Sequence, residues 1–137
     1  MQRLTGMRGC GIVVLAVVGC LLQAQAVAHD IEKQLFLVVD KDAVIASNTR
    51  LGRFDRLVLG PREKIVDYKV ANAVAVVVTN RRFVAYGILH GGWNSRRTQA
   101  DERLVSLEVA DYSATVVTSD RILNYSGRAG AWSETKR

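Results

Sequence analysis

The feature that most limits what this chain can fold into is a period of 39 residues. Ala114–Trp132 reads ATVVTSDRILNYSGRAGAW, and the stretch 39 residues upstream, Ala75–Trp93, reads AVVVTNRRFVAYGILHGGW. A third copy, Phe36–Phe54, reads FLVVDKDAVIASNTRLGRF, and the three align without a gap. Between residues 70–98 and 109–137, ten of 29 aligned pairs are identical. They include Val77/Val116, Thr79/Thr118, Arg82/Arg121, Tyr86/Tyr125, Gly91/Gly130 and Trp93/Trp132. The first copy keeps Val38, Val39, Ala46 and Gly52 in register and puts Phe54 where the others have Trp. A period of this length signals one supersecondary unit stacked on copies of itself, since one unit alone cannot bury its apolar face.

Each copy has the same internal order. A nearly continuous apolar run comes first (Leu35–Val39, Val74–Val78, Ala114–Val117), as expected of a strand covered on both faces. A polar turn follows, then a second strand that carries a Tyr in copies two and three, then a Gly-containing turn leading to the aromatic residue. A mixed strand, Lys64–Val70 or Arg103–Val109, closes the unit. The expected fold is therefore all-β, with three four-stranded repeats at about residues 31–69, 70–108 and 109–137. Four strands in such a span make one propeller blade. Copy three ends at Arg137 before its fourth strand on this phasing. Three blades do not close a ring, so a homodimer that closes one through its terminal strands is expected. A β-trefoil, which closes as a monomer from three repeats, is the alternative.

Val105–Trp132, VSLEVADYSATVVTSDRILNYSGRAGAW, resembles a WD-repeat or quinoprotein-type propeller blade. In such blades an outer strand, a turn, the innermost strand, a polar turn and a third strand lead to a Gly and a Trp. The resemblance implies a propeller-like fold and brings no cofactor or partner with it.

Residues 1–28 have the layout of a secretory signal peptide: Arg3 and Arg8 without an acid, the apolar run Cys10–Leu22, and Ala26-Val27-Ala28 as a cleavage site. A signal helix over 1–28 and a repeat domain over 29–137, secreted or periplasmic, are expected. Val17-Val18-Gly19-Cys20 also resembles a lipobox, with lipid anchoring through Cys20 as the alternative. Cleavage at Ala28 removes both cysteines and leaves a net charge of +4. That excess biases the surface toward acidic partners and is too small to indicate nucleic acid.

The candidate binding residues are few. Trp93 and Trp132 could stack on a sugar, as in a lectin-like module, or pack between neighbouring sheets, together with Phe54, Tyr86 and Tyr125. The basic pairs Arg81-Arg82 and Arg96-Arg97, with Arg53, Arg56, Arg62 and Arg103, could line one face and hold a glycan or other polyanion. His29, N-terminal after cleavage, and His90 are the candidates for copper ligands, and no metal site is expected. There is no nucleophilic Cys, no spaced metal set and no cofactor motif. The expectation is an exported, non-catalytic binding or scaffold protein.

Overall fold

The computed structural model describes residues 32–137. The expected signal helix, the Cys20 lipidation site and His29 lie outside the described residues. Among the described residues eleven strands follow one another without a helix: β1 Leu35–Val39, β2 Ala43–Asn48, β3 Arg53–Val58, β4 Ile65–Val70, β5 Val74–Thr79, β6 Arg82–Gly87, β7 Trp93–Arg97, β8 Leu104–Val109, β9 Ser113–Thr118, β10 Arg121–Ser126 and β11 Ala131–Lys136. They form three separate antiparallel meanders, ordered β1-β2-β3, β4-β5-β6-β7 and β8-β9-β10-β11.

The period of 39 holds to the level of single pairs. Tyr86 faces Trp93 across β6 and β7, and Tyr125 faces Trp132 across β10 and β11. A register shift falls between Ile65 and Asp67 in β4, and again between Leu104 and Ser106 in β8. Gly52, Gly91 and Gly130 occupy the same left-handed turn position, with φ of 63°, 65° and 67°. Glycine is the residue that enters this region without steric cost, which explains its recurrence there.

The phase of the repeat differs from the sequence expectation. Ile65–Val70 does not close the first unit. It pairs with β5 and opens the second sheet, just as Leu104–Val109 opens the third. The third sheet is therefore complete, and the first is the one with three strands among the described residues. A period fixes spacing but not where the chain steps from sheet to sheet. The step is made by the loops 59–64 and 98–103.

The sheets stack face on face, in the propeller manner. No strand of one sheet pairs with a strand of another among the described residues, which replaces the trefoil alternative. Val74, Val76, Val78, Phe83 and Ala85 of the second sheet pack on Leu107, Ala114, Val116, Leu123, Tyr125 and Trp132 of the third. The opposite face of the second sheet packs Ala75, Val77, Val84 and Tyr86 against Leu35, Val44, Ala46 and Leu57 of the first. Every residue of β5 is consequently buried. In β1, β2 and β9 burial alternates, because among the described residues only one face of each outer sheet is covered. Phe36, Val38, Phe54 and Val58 lie on the free face of the first sheet. Phe54, in the register of Trp93, is 76% exposed, with no preceding sheet among the described residues.

Candidate functional site

Two kinds of clasp join each sheet to the one before it. The first is aromatic. Trp93 lies against Tyr86 with ring centroids 5.1 Å apart and donates its indole N–H to Asp55 O of the first sheet at 3.2 Å. Trp132 lies against Tyr125 at 5.3 Å and donates to Asn94 O of the second sheet at 3.1 Å. Asp55 and Asn94 are themselves 39 residues apart. Trp132 is 7% exposed, so its ring is committed to the sheet boundary. Trp93 is half-buried at the equivalent place. Around Tyr86 the contact is polar as well. Its hydroxyl donates to Asp55 Oδ2 at 2.5 Å and accepts from Asn48 Nδ2 at 3.0 Å. Burial alone would push the Asp55 carboxyl up. The Tyr86 hydroxyl, the Gly92 N–H and Arg53 overcome this and hold it below the usual range.

The second clasp is ionic. Thr79 ends β5, and its hydroxyl oxygen accepts from the N–H of Arg81 and of Arg82, turning the chain back into β6. This aims Arg82 at Glu63 in the loop between the sheets. Arg82 Nε and Nη2 donate to Glu63 Oε2 and Oε1 at 2.8 and 3.0 Å, and Nη2 also reaches Val58 O of the first sheet at 2.9 Å. The Thr79 hydroxyl and the Gly60 N–H complete the shell of Glu63. Burial would raise this carboxyl, but its four donors and the Arg82 charge bring it down to about 2. The third sheet repeats the unit. Arg121 Nε and Nη2 hold Glu102 at 2.8 and 3.1 Å, Nη2 bonds Arg97 O at 2.7 Å, and Thr118 and the Gln99 N–H bind the same carboxylate.

Glu63, Glu102, Thr79 and Thr118 thus belong to a device that the reading of candidate residues omitted. The signal was available, since Glu63 and Glu102 are also 39 apart.

The hairpin β6–β7 brings the two basic pairs together. Arg82 stands opposite Arg97, and Phe83 opposite Arg96. Like charges directly across a ladder repel, and the Glu63 carboxylate offsets this at Arg82. The expected polyanion face therefore divides. Arg82 is engaged in the clasp, and Arg96 projects from the other face of β7. Arg81 and Arg97 are exposed and line a groove of about 800 Å³ between the first two sheets, with Val58, Gly60, Asn80, Ser95, Thr98 and the paired Glu63 and Arg82 on its walls. Among the described residues neither makes an ion pair. Arg53 pairs with Asp55 at 3.0 Å and stands outside this groove. His90 is exposed and bonds Arg128 O at 2.7 Å. No group of three or more potential metal ligands occurs among the described residues.

No protein-family model matches the chain, and no curated protein does. Among solved structures, the N-terminal domain of Nup159 is similar over 76% of this chain and 28% of its own length, at 14% identity and a TM-score of 0.43. A chain of an S. cerevisiae complex of Dbp5 with Nup159, Gle1, IP6 and ADP covers the same shares at 14% identity and a TM-score of 0.45. This chain spans about a quarter of the length of the solved chains it matches, and similarity at this level transfers neither partner nor activity to it.

Proposed function

We propose that the chain is an exported, non-catalytic module that binds a partner or serves as a scaffold. One observation carries the reading. The acidic groups whose ionisation departs from the ordinary, Asp55, Glu63 and Glu102, all sit in contacts that tie one sheet to the next. In an active site such groups would be left free to reach a substrate, whereas Glu63 and Glu102 line surface grooves with their oxygens taken by donors of this chain. Here they are shielded by arginine, threonine and backbone N–H donors and do the work of joining sheets. The surface left for recognition is the end that carries turns 40–42, 59–64, 79–81, 98–103 and 119–120. Site-specific photo-crosslinkers in the native host test this, placed at Arg62 and Asn80 on that end and at Asn72 on the opposite end. One reproducible adduct from the turn end supports the reading. Adducts from neither end, or covalent trapping of a small substrate, refutes it.

Lectin-like use of Trp93 and Trp132 is the competing reading. It requires tryptophan emission that responds to added glycans. The packing on Tyr86 and Tyr125 favours blue-shifted emission that glycans leave unchanged. Export rests on the residue pattern of 1–28, and N-terminal sequencing of the mature protein distinguishes a start at His29 from a lipidated Cys20.

A second reading, self-association, is favoured by the free face of the first sheet, where Phe36, Val38, Phe54 and Val58 form an exposed apolar surface. The free face of the third sheet is different. Its rows are Thr115–Asn124–Ser133 and Val117–Ile122–Thr135. A ring closed by joining the first sheet of one copy to the third of another would set an apolar face on a mostly polar one. Association between two copies of the first-sheet face matches better.

A further inference from the structure

The repeat supplies an internal comparison for the arginine-lined groove. The same backbone framework recurs 39 residues later between the second and third sheets, as a smaller groove of about 320 Å³ walled by Gln99, Asp120, Arg121, Glu134, Thr135 and Lys136. Position by position, Arg81 becomes Asp120, Ser95 becomes Glu134 and Arg97 becomes Lys136. The clasp arginine shows the consequence. Arg121 Nη1 donates to Glu134 Oε2 at 2.7 Å. Arg82 has Ser95 at that position, and among the described residues no acceptor bonds its Nη1. The second groove is thus closed by a carboxylate of its own chain. The first keeps the matching donor free, flanked by two exposed guanidinium groups, and is more than twice as large. The fold does not require a cation at Arg81, since the equivalent position holds Asp120, whereas a cation recurs at Arg97 as Lys136.

We propose that the groove between the first two sheets binds an acidic peptide segment of a partner protein. One of its carboxylates takes at Arg82 Nη1 the place that Glu134 holds at Arg121, and Arg81 and Arg97 hold neighbouring ones. Arginine suits this role because its planar fork presents paired N–H donors to a carboxylate. The Arg81 side chain already lies across the loop, where a Cβ on Gly60 would come within 3.9 Å of its Nη1. Ser95 sets the specificity of the site, because its short side chain leaves Arg82 accessible. The inference rests on the binding-module reading.

The test is fluorescence anisotropy of the full chain with a labelled hexaglutamate peptide, and hexaglutamine as control. Ser95→Glu installs the carboxylate of the second groove. It is expected to weaken hexaglutamate binding at least tenfold while leaving the melting temperature unchanged or higher. Arg81→Asp is expected to weaken binding similarly, and Arg56→Ala, on the free face of the first sheet, to leave it unchanged. Equal affinity for the wild type and Ser95→Glu overturns the proposal, as does equal weakening by Arg56→Ala. Binding of polyphosphate without hexaglutamate overturns the assignment to carboxylate. Failure here with crosslinks from the turn end intact removes only the acidic ligand. Absence of the crosslinks removes the binding-module reading itself.

Discussion

Removing Arg121 should cost far more than an arginine usually costs. Its guanidinium side chain is 8% exposed and that of Glu102 is 0% exposed. Arg121→Met keeps the apolar stem and deletes two bonds to Glu102, one to Arg97 O and one to Glu134. Glu102 is left ionised and buried, with only the Thr118 hydroxyl and the Gln99 N–H as donors. Breaking one side of a buried pair costs about 3–5 kcal/mol, and the two remaining donors place this case near ~3. That is a large share of the ~5–15 kcal/mol that holds a small domain together. Removing both partners should cost less, because no buried charge is stranded. Glu102→Leu with Arg121→Met is expected to recover at least about 1 kcal/mol over Arg121→Met alone. The pH dependence has a definite sign. In the wild type the Glu102 pKa is lowered, so its contribution is present above the unfolded value and lost as pH falls. In Arg121→Met, burial without the guanidinium raises that pKa, so the variant loses stability as pH rises. The gap between the two proteins should therefore narrow toward pH 4. Urea unfolding followed by tryptophan emission and far-UV circular dichroism measures all three quantities. A cost below about 1 kcal/mol at pH 7, or strict additivity in the double variant, would refute the clasp as a coupled buried unit.

Glu63 predicts the acid limb of stability. A carboxyl that moves from 4.5 to about 2 on folding contributes about 3 kcal/mol above its unfolded pKa, lost as pH falls from about 5 toward 2; Glu63→Gln should flatten that limb in acid titrations of the unfolding midpoint. The two tyrosines should separate in the same unfolding assay. Tyr86→Phe loses a bond to a carboxylate and one from Asn48 and should cost about 1–2 kcal/mol. Tyr125→Phe should cost less than about 0.5 kcal/mol, because Gly87 and Asn94 stand where Asn48 and Asp55 surround Tyr86. Self-association through the first sheet predicts that Phe54→Ser with Val38→Thr shifts the mass from light scattering toward the monomer, and an unchanged mass would remove that reading.

The strands, turns and aromatic pairs were legible in the sequence because each is local. The Val-rich run at 74–78, the Gly at 91 and the Trp at 93 each leave their mark within one meander, although the run and the Trp also pack against neighbouring sheets. The phase of the repeat was not legible. Whether Ile65–Val70 pairs backward with β3 or forward with β5 is decided by the loop 59–64, whose turn at Arg62 takes φ of 62°, as Asp101 does at 59° in the equivalent loop. Neither residue type announces that conformation. The ionic clasps were hidden for another reason. Glu63 and Arg82 are 19 residues apart, and only the return of the same pair as Glu102 and Arg121 sets them apart from other exposed-looking charges. Arg81-Arg82 reads as a pair, yet the first side chain lies on the surface and the second is held by Glu63.

The three copies diverge where the architecture changes, and this orders their roles. Each feature that ties a sheet to its predecessor is missing from the first: Ser47 stands for Tyr86, Phe54 for Trp93, Ala43 for Arg82 and Asp40 for Thr79. All four positions lie on or beside the face that has no sheet before it among the described residues. The apolar positions facing the second sheet are kept, with Leu35, Leu37, Val44 and Ala46 equivalent to Val74, Val76, Phe83 and Ala85. The side chains that recur only in the second and third copies are therefore those of the boundaries. The same logic separates the two grooves. Both have the Thr–Arg–Glu clasp that the boundary requires, and they differ in the charges around it, where the boundary requires nothing. A position that is Arg in one groove and Asp in the other is not fixed by the fold. The groove at Arg81 and Arg97 is therefore where a partner should be sought first.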